Sequence, residues 1–282
     1  EILPRNYHPA SYRMRTFHDL RESFLDGTDS PRDYLERCLE CIESREPVVK
    51  AWVNLNQENA RKAADESENR YRQGKTLSVI DGMPLGIKDV LQTRDMPTEL
   101  GSPIFKGHQT NLDSASVNAL RLAGGVILGK TVTTEFAFVK PGPTSNPFDP
   151  QATPGGSSSG TSAAVGAGMI PAGLGNQVVG SVIRPASFCG NFAIKPTLGA
   201  LHNGEGLSLS QLHLGVHAAS LDDLWAVAYQ IANRAGGDPG YPGLYGPEEI
   251  CPRQKPGRLL ISRNHYDIET QSANRLQWRG RK

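Results

Sequence analysis

From Thr153 to Gly173 the chain reads TPGGSSSGTSAAVGAGMIPAG, a stretch with few large side chains. Alanines and glycines in such a run let a helix approach a sheet closely, so the segment predicts a helix laid against a sheet. Further on, in VVGSVIRP, Gly180 precedes Ser181, and Arg184 and Pro185 follow closely. Glycine beside serine matters chemically as well, because backbone amides can then reach a bound carbonyl without an intervening Cβ.

The chain around this segment alternates in texture. The first seventy residues read as helices, one of them starting at Ser30-Pro31, where a hydroxyl caps and a proline loses nothing at the first helical position. QENARKAADESENRYRQG, residues 57–74, reads as an exposed helix ending at Gly74, and AWVNL between these helices is strand-like. From Pro84 the pattern becomes strand then helix. LGIKDVL and VILGKT are short buried strands, DSASVNALRLAGG is a helix with a glycine stop, and LDDLWAVAYQIANRAGG is an amphipathic helix stopped by Gly236. RLLIS, residues 258–262, reads as one more strand, followed by a polar tail ending in basic residues. This alternation predicts an α/β fold, a central mixed β-sheet covered by helices on both faces. The expected organisation is a single α/β domain over 1–282, with a helical N-terminal region at about 1–75 and a core at about 76–245.

Charge and composition narrow the function classes. Thirty basic residues against 29 acidic ones leave a formal charge of +1, which disfavours a nucleic-acid surface as the main business. No apolar run reaches the ~18 residues of a membrane span, and the N-terminus has no secretory signal pattern. The chain starts at Glu1 rather than Met, which predicts that residues precede it. Four cysteines, Cys38, Cys41, Cys189 and Cys251, are too few and too unevenly placed for a disulfide framework, so a reducing cytoplasm is the expected location. Cys38 and Cys41 have CxxC spacing but lie on an apolar helical face with Leu35, Leu39 and Ile42, which predicts packing. His213 and His217 are four apart without the glutamate of HExxH. No cofactor is expected.

Three readings compete for the GGSSSG loop. Gly156-Ser157-Ser158-Ser159-Gly160 fits a nucleophile elbow with Ser158 attacking, yet the preceding NPFDPQATP is proline-punctuated loop where that motif needs a strand. Gly155 to Gly160 also has the glycine spacing of a phosphate-binding loop, with Thr161 where its lysine belongs. The third reading joins the loop to Ser181 and to Lys88 of Gly86-Ile87-Lys88-Asp89. A lysine between Ile87 and Val90-Leu91 is placed for burial, which disfavours its ammonium form and makes it a base near neutral pH. Ser157 or Ser158 can relay the proton, since a hydroxyl both donates and accepts. Two serines and a lysine suggest a hydrolytic site that uses no histidine. The duller readings are a helix cap for Ser157 and Ser158, a surface lysine for Lys88, a turn serine for Ser181 and a small buried residue for Cys189.

At this point the sequence resembles the amidase signature family, whose members use a serine, a second serine preceded by a cis peptide bond, and a lysine. The resemblance rests on DGMPLGIKDV, RLAGGVILGKTVTTEFAF, NPFDPQATPGGSSSGTSAAVGAGMIP, GSVIRPASFCG and AIKPTLG, in the family's order over roughly residues 16–245. It implies Lys88 as the base, Ser157 as the cis serine and Ser181 as the nucleophile; the interval of 24 residues (181 − 157) matches the family's. Val178, Val179, Gly180 and Ser181 would then supply the oxyanion-hole amides, with Ser158 and Arg184 in support and Lys88, Ser157 and Ser181 in one hydrogen-bonded chain. The implied activity is cleavage of a small-molecule carboxylic amide through a serine acyl-enzyme, with a homodimer admitted and no membrane association. An incomplete amidase-like scaffold acting in association, or an amidotransferase A-type subunit working on charged tRNA, are the other expectations. Two departures bear on these. The segment before Gly180 reads Asn176, Gln177, Val178, Val179 where the family commonly carries threonine, aspartate or glutamine, threonine and then glycine or alanine, which predicts bulk beside the oxyanion hole. Family enzymes are also longer, which predicts truncation at the C-terminus.

Overall fold

The computed structural model describes residues 7–204 and 210–250; the strand read at 258–262 and the tail lie outside them. In chain order the helices and strands are α1 (Arg21–Asp26), α2 (Pro31–Val49), β1 (Trp52–Leu55), α3 (Gln57–Arg72), β2 (Pro84–Lys88), α4 (Ala115–Leu122), β3 (Val126–Thr131), α5 (Ser159–Gly166), β4 (Ala172–Gln177), α6 (Ile183–Cys189), β5 (Phe192–Ile194), β6 (His213–Ala218) and α7 (Leu221–Ala235). None of these helices is long and apolar enough to cross a membrane. The strands form one mixed sheet in the order β1-β3-β2-β4-β6-β5. β3, β2 and β4 run parallel at its centre, and β1, β6 and β5 join antiparallel.

Strand alternation assigns a different job to each face of this sheet. Successive side chains point to opposite faces. Leu85 and Ile87 of β2, Ala172 and Leu174 of β4, and Leu214, Val216 and Ala218 of β6 join one apolar core, with Val117 and Leu120 of α4 and Leu224, Val227 and Ile231 of α7. The intervening positions carry Gly86 and Lys88, Gly173 and Gly175, and Gly215 and His217. Gly86 stands in register with both Gly129 and Gly173, and Gly175 with Gly215, so a stripe of glycines crosses this face. α5 packs here, sharing a second core with α2 and α3. A Cβ on Gly173 would come within 2.7 Å of both the Gly86 carbonyl oxygen and Thr161 Cγ2, which is the closeness that the small residues of α5 permit.

The helices and strands read from sequence differ from those observed mainly at their ends. The strand expected at LGIKDVL stops at Lys88, where Leu91 N–H donates to the Lys88 carbonyl (2.9 Å) and turns the chain. Ser30 caps α2 by accepting from Asp33 N–H, as its sequence context requires. Cys38 and Cys41 are both buried on α2; burial pushes the Cys38 thiol up to about 12, consistent with packing.

Candidate active site

The site forms where β2 and β4 end, at the carboxyl edge of the parallel part of the sheet, a position where open α/β sheets commonly bind ligands. Lys88 is the last residue of β2 and, at 0% exposure, lies wholly inside. Its Nζ meets three oxygens: Ser157 Oγ at 2.6 Å, Asn176 Oδ1 at 2.7 Å and the Asn176 carbonyl at 3.3 Å. No carboxylate pairs with it among the described residues. Asp89, next in sequence, is taken by Lys130 at 3.0 Å, both side chains fully buried. Burial without a counter-charge drives the Lys88 pKa well below its ordinary value. Burial, and secondarily Lys88, also holds His217 down to about 3, so this histidine is neutral.

Ser157 follows a cis peptide bond from Gly156, at the position where the resemblance implies one. Arg184 of α6 donates from Nη2 (2.8 Å) and Nε (3.2 Å) to the Gly156 carbonyl, while the Ser157 carbonyl accepts from Thr134 N–H (3.2 Å). The paired glycines are needed for this approach, since Gly155 has φ +75° and a Cβ there would press on Pro185. Ser158 sits at the N-cap of α5 without a side-chain cap bond. Its hydroxyl donates instead to the Asn176 carbonyl (3.4 Å), and its N–H donates to the Ser181 carbonyl (3.1 Å).

Ser181 lies in the turn between β4 and α6, and Gln177 shapes that turn. The Gln177 Oε1 accepts from Val182 N–H (2.8 Å) and Ile183 N–H (3.0 Å), and its Nε2 donates to the Val179 carbonyl (3.1 Å). The N–H groups of Val178, Val179, Gly180 and Ser181 find no acceptor among the described residues. Free amides beside a cavity can donate to the oxygen of a bound molecule. The continuous chain expected from sequence is therefore formed only in its first link. Ser157 Oγ bonds to Lys88, whereas Ser181 is joined to the loop through its carbonyl and its hydroxyl makes no hydrogen bond among the described residues.

Both serines line a cavity of about 560 Å³, together with Asn176, Arg184, Leu212 and the aromatic side chains of the 134–140 loop. Val179, expected to crowd the amides, is 90% exposed, so its bulk stands in the open cavity. Cys189 is buried against the Pro154 carbonyl (3.4 Å) and its thiol is pushed up to about 12, the inert small residue of the duller reading. His213 and His217 lie on a strand, where four residues span ~13 Å, so they do not converge on one point. Asn176 stands out in the sequence only as a departure from the family's pattern, and Gln177 fits it. Their signal is local, two amide side chains just before the turn that carries Ser181, but nothing in the sequence says which atoms they meet.

The chain matches the family described as Amidase over residues 33–255. It is 38% identical over 206 residues to the glutamyl-tRNA(Gln) amidotransferase A-type subunit of Chloroflexus aggregans, covering 71% of this chain and 41% of that protein. It also superposes on the native peptide amidase of Stenotrophomonas maltophilia with a TM-score of 0.72 at 30% identity, covering 79% of this chain and 48% of the enzyme. An inhibitor-bound vestigial protein complex, described as revealing the evolutionary origins of an s-triazine catabolic enzyme, gives a TM-score of 0.74 at 33% identity, covering 85% and 53%. The chain thus spans about half the length of the relatives it matches.

Proposed function

The chain belongs to the amidase family, and from that premise we propose that it hydrolyses a carboxylic amide to a carboxylate and ammonia or an amine, with Ser181 as nucleophile, Ser157 as proton relay and Lys88 as base. The observation that carries this reading is the Lys88–Ser157 contact of 2.6 Å around a lysine that has no acid partner among the described residues. A neutral amine has two N–H groups and one lone pair. The two Asn176 oxygens accept the two N–H groups, which leaves the lone pair facing the Ser157 hydroxyl. Lys88 is thereby a base aimed at one proton.

With a substrate carbonyl in the cavity, Ser181 Oγ turns toward Ser157 as it attacks. Its proton passes to Ser157 Oγ while the Ser157 proton passes to Lys88. The carbonyl oxygen gains negative charge and is received by the free amides of residues 178–181. Collapse breaks the C–N bond, and the proton returns through Ser157 to the departing nitrogen. An ester remains on Ser181. Water then attacks this ester, gives its proton to the same relay, and releases the acid and the free serine. Arg184 and Gln177 keep the loop and the turn in position but touch no reacting atom.

One experiment tests the assignment. A small fluorophosphonate labels Ser181 in the folded protein, and Lys88→Ala abolishes labelling while leaving the circular dichroism spectrum unchanged. Failure of the folded wild type to label would leave an amidase-like scaffold as the better description. A second reading, one component of an amidotransferase that releases ammonia from a donor amide, is favoured by the name of the Chloroflexus relative. Ammonia release that depends on partner proteins and charged tRNA would identify it.

A further inference from the structure

The loop from Thr134 to Lys140 borders the site. Phe136 and Ala137 both have left-handed φ angles, +51° and +56°, which side-chain-bearing residues rarely adopt, let alone in succession. Hydrogen bonds hold them there: Phe136 N–H to the Leu100 carbonyl (2.8 Å), Ala137 N–H to the Thr134 carbonyl (2.8 Å), and Thr134 Oγ1 to the Phe138 carbonyl (2.6 Å). The Glu135 carboxylate anchors the loop from below, accepting from Ser102 Oγ (2.8 Å) and pairing with Lys140 (3.1 Å). Strained backbone pinned in this way is characteristic of functional positions. Its result is that Phe136, Phe138 and Val139 are presented to the cavity that Ser157 and Ser181 also line. Phe138 is 76% and Val139 78% exposed, an unusual outlay of apolar surface. Val178, Val179 and Leu212 line it as well.

Charge at this cavity is as telling as shape. Among its described lining residues Arg184 is the one ionisable side chain, and two of its nitrogens already donate to the Gly156 carbonyl. A carboxylate placed against the phenylalanine and valine side chains would lose its water to apolar surface, with Arg184 the one cation in the lining to offset that cost. An alkyl or aryl group would bury surface against both.

We propose that Phe136, Phe138, Val178 and Val179 form an acyl-binding wall that selects amides with an apolar, uncharged acyl group over amides of amino acids or dicarboxylic acids. The inference rests on the Ser181 reading for its orientation, and it names the substrate class of that site. It also separates a hydrolase of apolar amides from an ammonia-delivering protein fed by a polar donor such as glutamine.

Binding, measured apart from turnover, tests it. Hexanamide, adipamate (the same chain ending in a carboxylate) and L-glutamine are titrated calorimetrically into the Ser181→Ala protein. Hexanamide is expected to bind at least about tenfold more tightly than either of the others, since its terminal methyl gains from burial where a charged group loses its water. Phe138→Ser and Val179→Ser each weaken hexanamide by about three- to tenfold, on the same scale, and weaken adipamate by less. Both side chains are largely exposed, so both variants fold. Equal or tighter binding of adipamate or glutamine, or hexanamide affinity untouched by both substitutions, overturns the proposal. Fluorophosphonate labelling of the wild type keeps the two ideas apart. Labelling without a hexanamide preference sinks the wall alone, whereas the preference without labelling sinks hydrolysis at Ser181 alone.

Discussion

Lys88 is buried with no carboxylate beside it among the described residues, so no opposite charge offsets the loss of water around its ammonium form. The pair formed by Asp89 and Lys130 is part of the reason: the one acid adjacent in sequence is occupied elsewhere, and Lys88 meets only neutral oxygens. This arrangement has a measurable signature. In the unfolded chain the amine titrates near its ordinary value of 10.5, while in the folded protein it titrates well below. Between these two values the unfolded chain holds one more proton than the folded one, so stability rises with pH across that window. Lys88→Met removes the titration. The stability of the wild type relative to Lys88→Met therefore increases with pH, with a slope approaching about 1.4 kcal/mol per pH unit. Urea unfolding at a series of pH values below 10.5 measures it, and a flat difference would mean that the buried amine keeps its proton. Lys88 is legible in sequence through its Gly-Ile-Lys-Asp setting, but Asn176, which supplies two of its three partners, shows there only as an oddity. Side-chain amides bond to whatever the fold brings near them, and no spacing rule reports that.

Between β2, β4 and α5 the decisive property is the absence of side chains. Gly160 occupies the first turn of α5, where alanine would ordinarily improve the helix by about 1 kcal/mol. Here the sign reverses, because a Cβ on Gly160 would run into the Ala51 carbonyl and the Val132 amide, both backbone and neither able to step aside. Gly160→Ala is expected to destabilise the protein by about 1–3 kcal/mol in urea unfolding, the range for overpacking. It should also slow fluorophosphonate labelling, since Ser157 and Ser158 lead directly into this helix. The small-residue run was legible from composition because close packing demands small residues wherever it occurs. Less legible were α6 and the β5–β6 pair. α6 has seven residues with Pro185 in its first turn, and it owes its start to Gln177 rather than to a local cap. β6 alternates well, with Leu214, Val216 and Ala218 in the core, but its other face carries His213, Gly215 and His217, which do not read as a covered face until the glycine stripe beside them is known.

Across the whole molecule, distant chain segments close the layers. Asp223 in the first turn of α7 accepts hydrogen bonds from Phe17 N–H and His18 N–H, both at 2.9 Å, tying residues near one end of the described chain to a helix near the other. Both carboxylate oxygens are used. Asp223→Asn keeps one acceptor and leaves one buried N–H facing an amide donor, so a loss of about 1–3 kcal/mol is expected in denaturant titration. Labelling of Ser181 should persist under native conditions, since neither Asp223 nor the amides it accepts from line the cavity. β1, from the region read as helical, pairs antiparallel with β3 and extends the sheet that carries the site. A tether and an edge strand of this kind involve partners far apart in sequence, and local pattern contains no record of the pairing.

Sequence alone determined which residues could do the chemistry and in what order they come: a lysine at the end of an apolar run, serines set in glycine, and small residues for a helix that must lie close to a sheet. These follow from local covalent and steric rules, which act on neighbours along the chain. Tertiary structure decided the rest. It buried Lys88 and withheld a counter-ion, aimed the Asn176 oxygens at its amine, left four amides free around Ser181, and turned Phe136 and Phe138 into the cavity. Desolvation and facing geometry are properties of the surroundings, and here the surroundings come from segments tens of residues away.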